Sequence, residues 1–424
     1  MKVNIYEGFE SFSIHSNDST PPEIAVAVRG IVEGVRERGD AALLEYTEKF
    51  DGVKLASLRV PQDEMTRALA GVSAEMQAII REATKNVRDF HQRQVRETQL
   101  DFSPDGTILG WKVSAVDAAG LYVPGGRAVY PSTVIMNVVP AQVAGVPRIV
   151  VVSPPGPNGL PNDLVLATLA ILEVEDVYAV GGAQAVAALA HGTETIDRVC
   201  KITGPGNAYV SEAKRQVYGL VGIDSIAGPS EIMIVCDQEN MPTEYLVQDL
   251  LSQAEHDPMA RSLLATTSRK QAEAVAERLK ELVPTLQRRE IIEASFEDHS
   301  AIIVVKDLDE AWSAVNELAP EHLEVLTASP MDELHKIRNA GAIFLGPNTP
   351  EPVGDYFAGP NHTLPTNGCA KFSSPLGVAD FTKSSSVLSY SAARLAKDGP
   401  SIVKFAEEEG LFAHAASVKV RLKD

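Results

Sequence analysis

A glutamine and a histidine three residues apart stand near the end of a helical pattern in this 424-residue chain. Gln253 and His256 share one face if the helix continues through both, because residues three apart are neighbours on a helix surface. An amide oxygen and an imidazole nitrogen on that face can hold one metal ion or one polar substrate. A plain helix end with a hydrogen-bonded histidine explains the same residues, and the motif by itself leaves both interpretations open.

Two further polar positions are of the same chemical kind. Asp355 lies in a Gly/Pro-rich run, residues 346–362, and His414 lies close to the end of the chain. If both meet Gln253 and His256 in space, two imidazoles, one carboxylate and one amide oxygen suit a divalent ion such as zinc. With Asp355 as its only anion, such a site keeps a net positive charge and accepts ligands from a substrate.

A glutamate and a histidine, Glu321 and His322, follow Pro320 directly. Beside a metal ion, this pair can take a proton from an alcohol and activate a water molecule. Glu-His is a common dipeptide, so the pair alone indicates little. Together with the other half of the chain, whose glycine-rich turns are typical of nucleotide-binding domains, the pair points to hydride transfer.

The composition excludes several partners. Thirty-eight basic against 57 acidic residues give a net charge of −19, which opposes binding to nucleic acid and to an anionic membrane. The three cysteines form no C-x-x-C pair, as is typical of a reduced cytoplasmic protein. The start of the chain lacks a signal-peptide core, and no apolar run of about 20 residues predicts a membrane span.

Periodicity predicts which elements carry these residues. The first hundred residues are helical in pattern, with a break at Gly39-Asp40 and a second long helix from about Gln62 to Leu100. Strands and helices then alternate, which predicts mostly parallel sheets. Ligands bind outside the carboxyl ends of such strands, where several glycine-rich turns occur. These ends carry Gly181, Gly182, Gln184, Gly204, Gly206 and Asn207, without a complete G-x-G-x-x-G.

These patterns predict an α/β fold with two Rossmann-like parallel-sheet domains of an incomplete dinucleotide-fold type. A helical N-terminal region and a small C-terminal tail complete it. Residues 1–120 are expected to pack with residues 232–376 as the first α/β domain. Residues 121–231 form the second domain on the NAD side, and residues 377–424 form a dimer-forming tail.

Longer motifs carry a resemblance that runs essentially end to end. The sequence resembles histidinol dehydrogenase, an NAD-linked enzyme family of histidine biosynthesis. The motifs are Leu121–Gly126, Gly181–Ala185, Gly204–Asn207, Ala227–Glu231, Ser252–His256, Ala319–Glu324, Gly354–Tyr356, Gly359–His362 and Leu411–His414.

The resemblance implies two cofactors and a set of site residues. It implies one Zn²⁺ per subunit at Gln253, His256, Asp355 and His414, and NAD contacts at Tyr122, Gln184 and Asn207. The implied substrate contacts are Ser230, Gln253, His256, His322, Asp355, Glu409 and His414.

The implied reaction oxidises L-histidinol to L-histidinaldehyde and then to L-histidine with two NAD, the last steps of L-histidine biosynthesis. His322 is the implied base in the alcohol step, and Glu321 activates the water that hydrates the aldehyde. Zinc holds the amine and imidazole of the substrate. The family forms cytoplasmic homodimers whose C-terminal tail completes the partner's site, which implies that Glu409 and His414 act in trans.

Two other functions fit the residues. The same scaffold can serve an NAD-dependent dehydrogenase of another small primary alcohol, such as a sulfonated diol. A metal-dependent binding protein is the second alternative, but it gives no reason for the Glu321-His322 pair.

Overall fold

The computed structural model describes residues 2–12, 21–125 and 129–422. Gly126, part of one motif above, lies outside them. The chain divides into two compact units. The first combines Met1–Gln94 with Val116–Phe381, and the second combines Val95–Ala115 with Thr382–Asp424.

Helices and strands alternate through most of the described chain. The helices are α1 (Pro22–Arg38), α2 (Asp40–Asp51), α3 (Gln62–Gly71), α4 (Ala74–Gln92), α5 (Pro131–Val143), α6 (Asp163–Ile171), α7 (Gly182–His191), α8 (Ala208–Val217), α9 (Thr243–Ala254), α10 (Arg269–Leu282), α11 (Arg289–Asp298), α12 (Leu308–Leu318), α13 (Pro330–Glu333), α14 (Glu351–Val353), α15 (Ala392–Glu408) and α16 (Phe412–Lys419). The strands are β1 (Ile5–Glu7), β2 (Gln99–Phe102), β3 (Ile108–Ala115), β4 (Ala119–Tyr122), β5 (Ile149–Ser153), β6 (Asp176–Ala179), β7 (Lys201–Thr203), β8 (Gly222–Ile223), β9 (Glu231–Cys236), β10 (Arg261–Thr266), β11 (Ala301–Val304), β12 (His322–Leu326), β13 (Ala342–Leu345) and β14 (Thr382–Ser389).

The first unit contains two parallel sheets, which confirms the predicted fold class. One has six strands in the order β1-β11-β10-β9-β12-β13, and the other has five in the order β6-β5-β4-β7-β8. All strand pairs in both sheets are parallel. Every residue of β9 is buried, as expected for a strand covered by helices on both faces.

The N-terminal segment divides between the two sheets. Strand β1 pairs with β11 at the edge of the six-stranded sheet. Helix α1 buries Val28, Ile31 and Val35 at helical spacing and packs against α7 and α8, in the apolar cluster of the five-stranded half. Gly39, with φ +54°, separates α1 from α2, and a Cβ at this position would lie 2.2 Å from an oxygen of Glu194.

The predicted long helix between Gln62 and Leu100 is wrong in two places. Ser73 ends the first segment and starts α4, because its hydroxyl caps the helix by accepting the N–H of Met76. Strand β2 then begins at Gln99 and pairs with β3. Cross-strand pairing overrides the weak helical pattern of this polar segment.

The second unit joins an antiparallel three-stranded sheet to two helices. Its strand order is β14-β3-β2. Ser391 caps α15 by accepting the N–H of Arg394, and Val403, Ala406 and Ala415 form a small apolar cluster between α15 and α16. In the described part of the chain, no helix has the length and apolar character needed to cross a membrane.

Candidate active site

The predicted acid–base pair lies at the amino-terminal edge of the six-stranded sheet. His322 is the first residue of β12, and Glu231 is the first residue of the neighbouring strand β9. The N–H of Glu231 donates to Oε2 of Glu321 at 2.8 Å. Its carbonyl oxygen lies 2.9 Å from Nδ1 of His322. The backbone of one residue therefore orients both side chains.

The contact with Glu231 determines which ring nitrogen of His322 can act as a base. A carbonyl oxygen only accepts, so Nδ1 carries the hydrogen, and Nε2 keeps the lone pair in the neutral ring. Nε2 is buried and makes no hydrogen bond within the described residues. It faces Oδ1 of Asp355 at 3.5 Å and Oε1 of Glu351 at 3.9 Å.

The surrounding carboxylates shift the pKa values of this pair. Burial alone lowers the pKa of His322, but the charges of Glu321, Asp355 and Glu351 raise it well above its ordinary value. Burial also raises the pKa of Glu321 to about 8. At neutral pH the raised pKa favours the imidazolium form of His322, which cannot accept a proton. A cation that offset these carboxylate charges would favour the neutral ring, the form in which Nε2 is a base.

Gln253 and His256 lie at the end of α9, close to the same edge. Helix α9 ends at Ala254, so His256 stands in the following turn and not on the predicted helical face. Its N–H donates to the carbonyl of Gln253 at 3.2 Å. The Gln253 side chain is 1% exposed, and its Oε1 has no hydrogen-bond partner in the described chain. His256 is exposed. Burial raises the pKa of Glu351, and the electrostatic interaction with His256 opposes this rise.

Asp355 is held by a short irregular segment after β13. Glu351 begins α14, and a π-helical turn, Gly354–Ala358, carries Asp355. Oε2 of Glu351 accepts the hydroxyl of Ser252 on α9 at 2.7 Å, and its N–H donates to Glu324 on β12 at 2.8 Å. Burial raises the pKa of Asp355, but its contact with His322 and the charges of nearby histidines lower it below its usual value.

Two functional candidates carried no role in the sequence-based predictions. One is Glu351, described above. The other is His362, whose buried Nε2 has no hydrogen-bond partner among the described residues and whose pKa is lowered by burial. The charge of Asp355 acts on His362, so both belong to one cluster. The only feature of the sequence that indicates either residue is that it is an ionisable side chain within the Gly/Pro-rich run 346–362.

The cluster offers the ligands that a metal ion needs. Ligand atoms of His322, Glu351 and Asp355 all lie within 4.8 Å of one another. This group shares Asp355 with the predicted ligand set, and the unpartnered Oε1 of Gln253 is a further oxygen donor. Carboxylate, imidazole and amide donors together fit a divalent ion of borderline softness. The ligand roles of Gln253, His256 and His414 stay predictions.

Two of the predicted site residues belong to the second unit. His414 lies on α16, and Glu409 directly follows α15. Their contribution to the site stays a prediction. Ser230 precedes β9, and its carbonyl oxygen accepts the N–H of Arg261 at 2.9 Å.

The three residues predicted to contact NAD lie at the carboxyl edge of the five-stranded sheet. Tyr122 ends β4, and its hydroxyl accepts the N–H of Gly182 at 3.1 Å. Gln184 is buried in the first turn of α7, and Asn207 caps α8 by accepting the N–H groups of Tyr209 and Val210. The N-cap of α7 is Gly181, which has no side chain to bind the N–H groups of Ala183 and Gln184, so these groups suit an anionic ligand.

A buried carboxyl pair behind the site predicts an unusual pH dependence of stability. Burial raises the pKa of Glu324 to about 9 and that of Asp249 to about 6. Both values exceed those of the unfolded chain, so the folded state binds more protons and loses stability as pH rises through about 6 and then about 9. The slope is at most about 1.4 kcal/mol per pH unit and per proton.

Glu324→Gln replaces the protonated carboxyl with a neutral amide of the same shape. We expect the free energy of unfolding of this variant to fall less steeply between pH 6 and pH 9 than that of the wild type. Urea unfolding at several pH values measures the two slopes. Glu297→Gln, at an exposed position, serves as the control. Identical slopes for wild type and Glu324→Gln would contradict a protonated Glu324.

Comparison with known proteins supports one family for the whole chain. The profile of the family described as histidinol dehydrogenase matches residues 15–422. A histidinol dehydrogenase of Geobacillus kaustophilus is 57% identical over 94% of this chain and 93% of its own length. That of Bacillus subtilis is 51% identical over 99% of both chains. The crystal structure of histidinol dehydrogenase from Elizabethkingia anophelis is 34% identical, with a TM-score of 0.93 over 99% of this chain and 98% of the other. A full-length match at these identities shows that the chain belongs to the histidinol dehydrogenase family.

Proposed function

We propose that the chain oxidises L-histidinol to L-histidine through L-histidinaldehyde, using two NAD, in the last steps of L-histidine biosynthesis. The observation that carries the proposal is His322. Its Nδ1 is fixed by the Glu231 carbonyl, and its buried Nε2 faces the carboxylate cluster without a hydrogen bond of its own. An imidazole in this setting suits proton removal from an alcohol.

Glu321 and His322 divide the proton transfers between them. Nε2 of His322 takes the hydroxyl proton of the alcohol while hydride leaves for NAD. Glu321 then takes a proton from the water that hydrates the aldehyde, and His322 assists again in the second oxidation. Both side chains are buried, which keeps bulk water away from the aldehyde.

The donor set supports one Zn²⁺ per subunit. The ion would be held by Gln253, His256, Asp355 and His414. The strongest support is the buried Oε1 of Gln253, which has no hydrogen-bond partner among the described residues. When bound, the ion supplies positive charge that fixes the amine and the imidazole of the substrate. The remaining substrate contacts of this chain are Ser230, His322 and Glu409.

The carboxyl edge of the five-stranded sheet would bind NAD. Tyr122, Gln184 and Asn207 line the ends of β4, α7 and α8, and the uncapped start of α7 offers N–H groups to the pyrophosphate. Glycine at positions 181, 182, 204 and 206 lets the backbone approach a ligand closely.

The assembly is proposed to be a cytoplasmic homodimer in which the tail of one subunit completes the site of the other. The domain boundaries stay a prediction: residues 1–120 with 232–376, residues 121–231, and residues 377–424 as the tail. Val95–Ala115, however, groups with Thr382–Asp424, and α1 packs in the five-stranded half. The sulfonated-diol alternative gains no support from the relatives compared above, which are named histidinol dehydrogenase.

The most direct test combines metal analysis with an assay of NADH formation from L-histidinol. The expected result is about two NADH for each histidinol consumed, in protein that contains one zinc per subunit. No NADH formation from histidinol by metal-loaded protein would overturn the proposal. Faster turnover of a sulfonated diol than of histidinol would support the alternative substrate instead.

The tail residue His414 gives a test of both zinc binding and action in trans. His414→Asn should weaken zinc retention at least about tenfold, the loss that even indirect changes around a metal cause. Titration with a chelator, followed by elemental analysis, measures this retention. Unchanged retention would remove His414 from the ligand set.

Co-expression of His414→Asn with His322→Asn subunits tests the exchange of tails. If the tail acts in trans, one site of each mixed dimer combines an intact His322 with an intact His414. Random pairing then restores about a quarter of the wild-type activity. If the tail acts in cis, every site carries one substitution, and activity stays at the level of the single variants.

A further inference from the structure

A lysine is fully buried in the half of the first unit that is proposed to bind NAD. Lys214, on α8, is 1% exposed, although lysine is almost never fully buried unless it is paired. Its Nζ forms an ion pair with Oδ1 of Asp224, whose side chain is also buried. The same Nζ donates to the carbonyl oxygen of Gly204 at 3.1 Å.

Asp224 binds the other polar group of the same glycine. It follows β8, and its N–H donates to the carbonyl of Ile202 on β7 at 3.2 Å, which extends the ladder between these strands. Its Oδ2 accepts the N–H of Gly204 at 2.8 Å. The ion pair therefore holds both the N–H and the carbonyl of Gly204.

Gly204 is where the chain leaves β7 and turns towards α8. Its φ of +117° is one that residues with a side chain rarely adopt, and a Cβ would lie 2.1 Å from the carbonyl oxygen of Tyr122. Three residues later, Asn207 caps α8. Gly204, the first residue of this turn, packs against Tyr122, and Asn207 is its last residue. Tyr122 and Asn207 are two of the three residues proposed to contact NAD.

Stability alone gives no reason for an ion pair at this position. Apolar side chains of similar volume often stabilise a protein interior as well as a buried pair does, because they avoid the cost of removing two charges from water. An apolar pair, however, can bind neither polar group of Gly204. The charged pair supplies one donor and one acceptor at fixed positions, which holds the turn in a single geometry.

We propose that Lys214 and Asp224 are positioning residues for the dinucleotide, which hold Gly204 and thereby set the turn Gly204–Asn207 against Tyr122. Neither side chain touches the acid–base pair at the edge of the other sheet. This inference rests on the proposed function, because it takes NAD as the ligand of this turn. It predicts an effect on NAD affinity that is separate from the metal and from proton transfer.

The double variant Lys214→Met/Asp224→Leu removes both charges and both hydrogen bonds to Gly204 with little change in volume. Lys214→Met alone leaves the Asp224 carboxylate buried without its cation, which we expect to destabilise the protein strongly, so the double variant is the informative one. The matched control is Lys201→Met. Lys201 lies on β7, and its Nζ forms a less buried ion pair with Asp380 at 3.2 Å instead of binding Gly204.

Calorimetric titration of the zinc-loaded, full-length protein with NAD measures affinity directly, at a temperature where circular dichroism shows each variant to be folded. The Kd for NAD should rise about tenfold or more in the double variant, since small misplacements of a binding group have effects of this size. The KM for histidinol and the zinc content should stay close to the wild-type values. Lys201→Met should bind NAD as the wild type does.

Three outcomes would overturn the positioning role. They are an unchanged Kd for NAD in the folded double variant, an equal rise in the Lys201→Met control, and a loss of zinc that accompanies the weaker binding. Failure of the proposed function would give a different result: wild-type protein would bind NAD but would form no NADH in the presence of histidinol. In that case the comparison of NAD affinities still decides the positioning role.

Discussion

His322→Asn should lower kcat for histidinol oxidation about 10²- to 10⁴-fold, the usual contribution of a positioned general base, and leave zinc bound. Nε2 of His322 is the atom that would accept the proton, and asparagine offers no basic nitrogen in its place. The amide of asparagine can still donate to the Glu231 carbonyl that holds Nδ1 in the wild type. The local backbone should therefore keep its geometry.

Stopped-flow measurement of NADH formation, together with elemental analysis of the purified variant, checks this result. His335→Asn is a matched control, because Nδ1 of His335 also lies 2.8 Å from a carbonyl oxygen, that of Asp332, but at an exposed position. The control should keep full activity. Full activity in His322→Asn would refute the assignment of the base, and loss of zinc would mean that His322 is itself a ligand.

The fold could be predicted from the sequence because its strands are short, continuous apolar runs separated by glycine-rich turns. Strand β9 and its parallel neighbours illustrate this, since all residues of β9 are buried. Glu321 and His322 could be predicted as a pair because they are adjacent in sequence. Gly204 could be recognised as a close approach, since it belongs to a Gly-Pro-Gly turn at the end of a strand.

The arrangement of the site could not be predicted in the same way, because it depends on contacts between distant segments. Ser252 and Glu351 meet across 99 residues of sequence, and no local pattern encodes that contact. Helix α9 stops at Ala254, so His256 lies in a turn and not on the helical face that its spacing predicts. Glu351 and His362 lie in an irregular segment in which neither helical nor strand periodicity indicates where a side chain points.

Periodicity also did not predict at which edge of its sheet the proposed acid–base pair lies. The rule that ligands bind at the carboxyl ends of parallel strands fits Tyr122 and Gly204 on the five-stranded sheet. Glu231 and His322, however, are the first residues of their strands, so the acid–base pair lies at the amino-terminal edge of the six-stranded sheet. If NAD binds at the five-stranded sheet as proposed, the hydride acceptor and the base come from opposite kinds of sheet edge. Two sheets can bring such edges together, whereas the two edges of one sheet lie a strand length apart.

Glu321→Gln should slow oxidation of the aldehyde about 10²-fold or more, and should slow oxidation of the alcohol far less. The glutamine amide oxygen can still accept the N–H of Glu231, which Oε2 of Glu321 accepts at 2.8 Å in the wild type, so the variant keeps the hydrogen bond and loses only the basic oxygen. Because burial raises the pKa of Glu321 to about 8, the wild-type rate of aldehyde oxidation should rise as pH passes through about 8 and Glu321 ionises.

Single-turnover assays started separately from histidinol and from histidinaldehyde, between pH 6 and pH 9.5, resolve the two half-reactions of this variant. Glu333→Gln is the control, since Glu333 also accepts an N–H, that of the Trp312 indole, at 2.7 Å, but plays no part in the cluster. The rise with pH should disappear in Glu321→Gln and persist in the control. An equal loss in both half-reactions would contradict activation of water by Glu321, because alcohol oxidation consumes no water and needs only the base on His322.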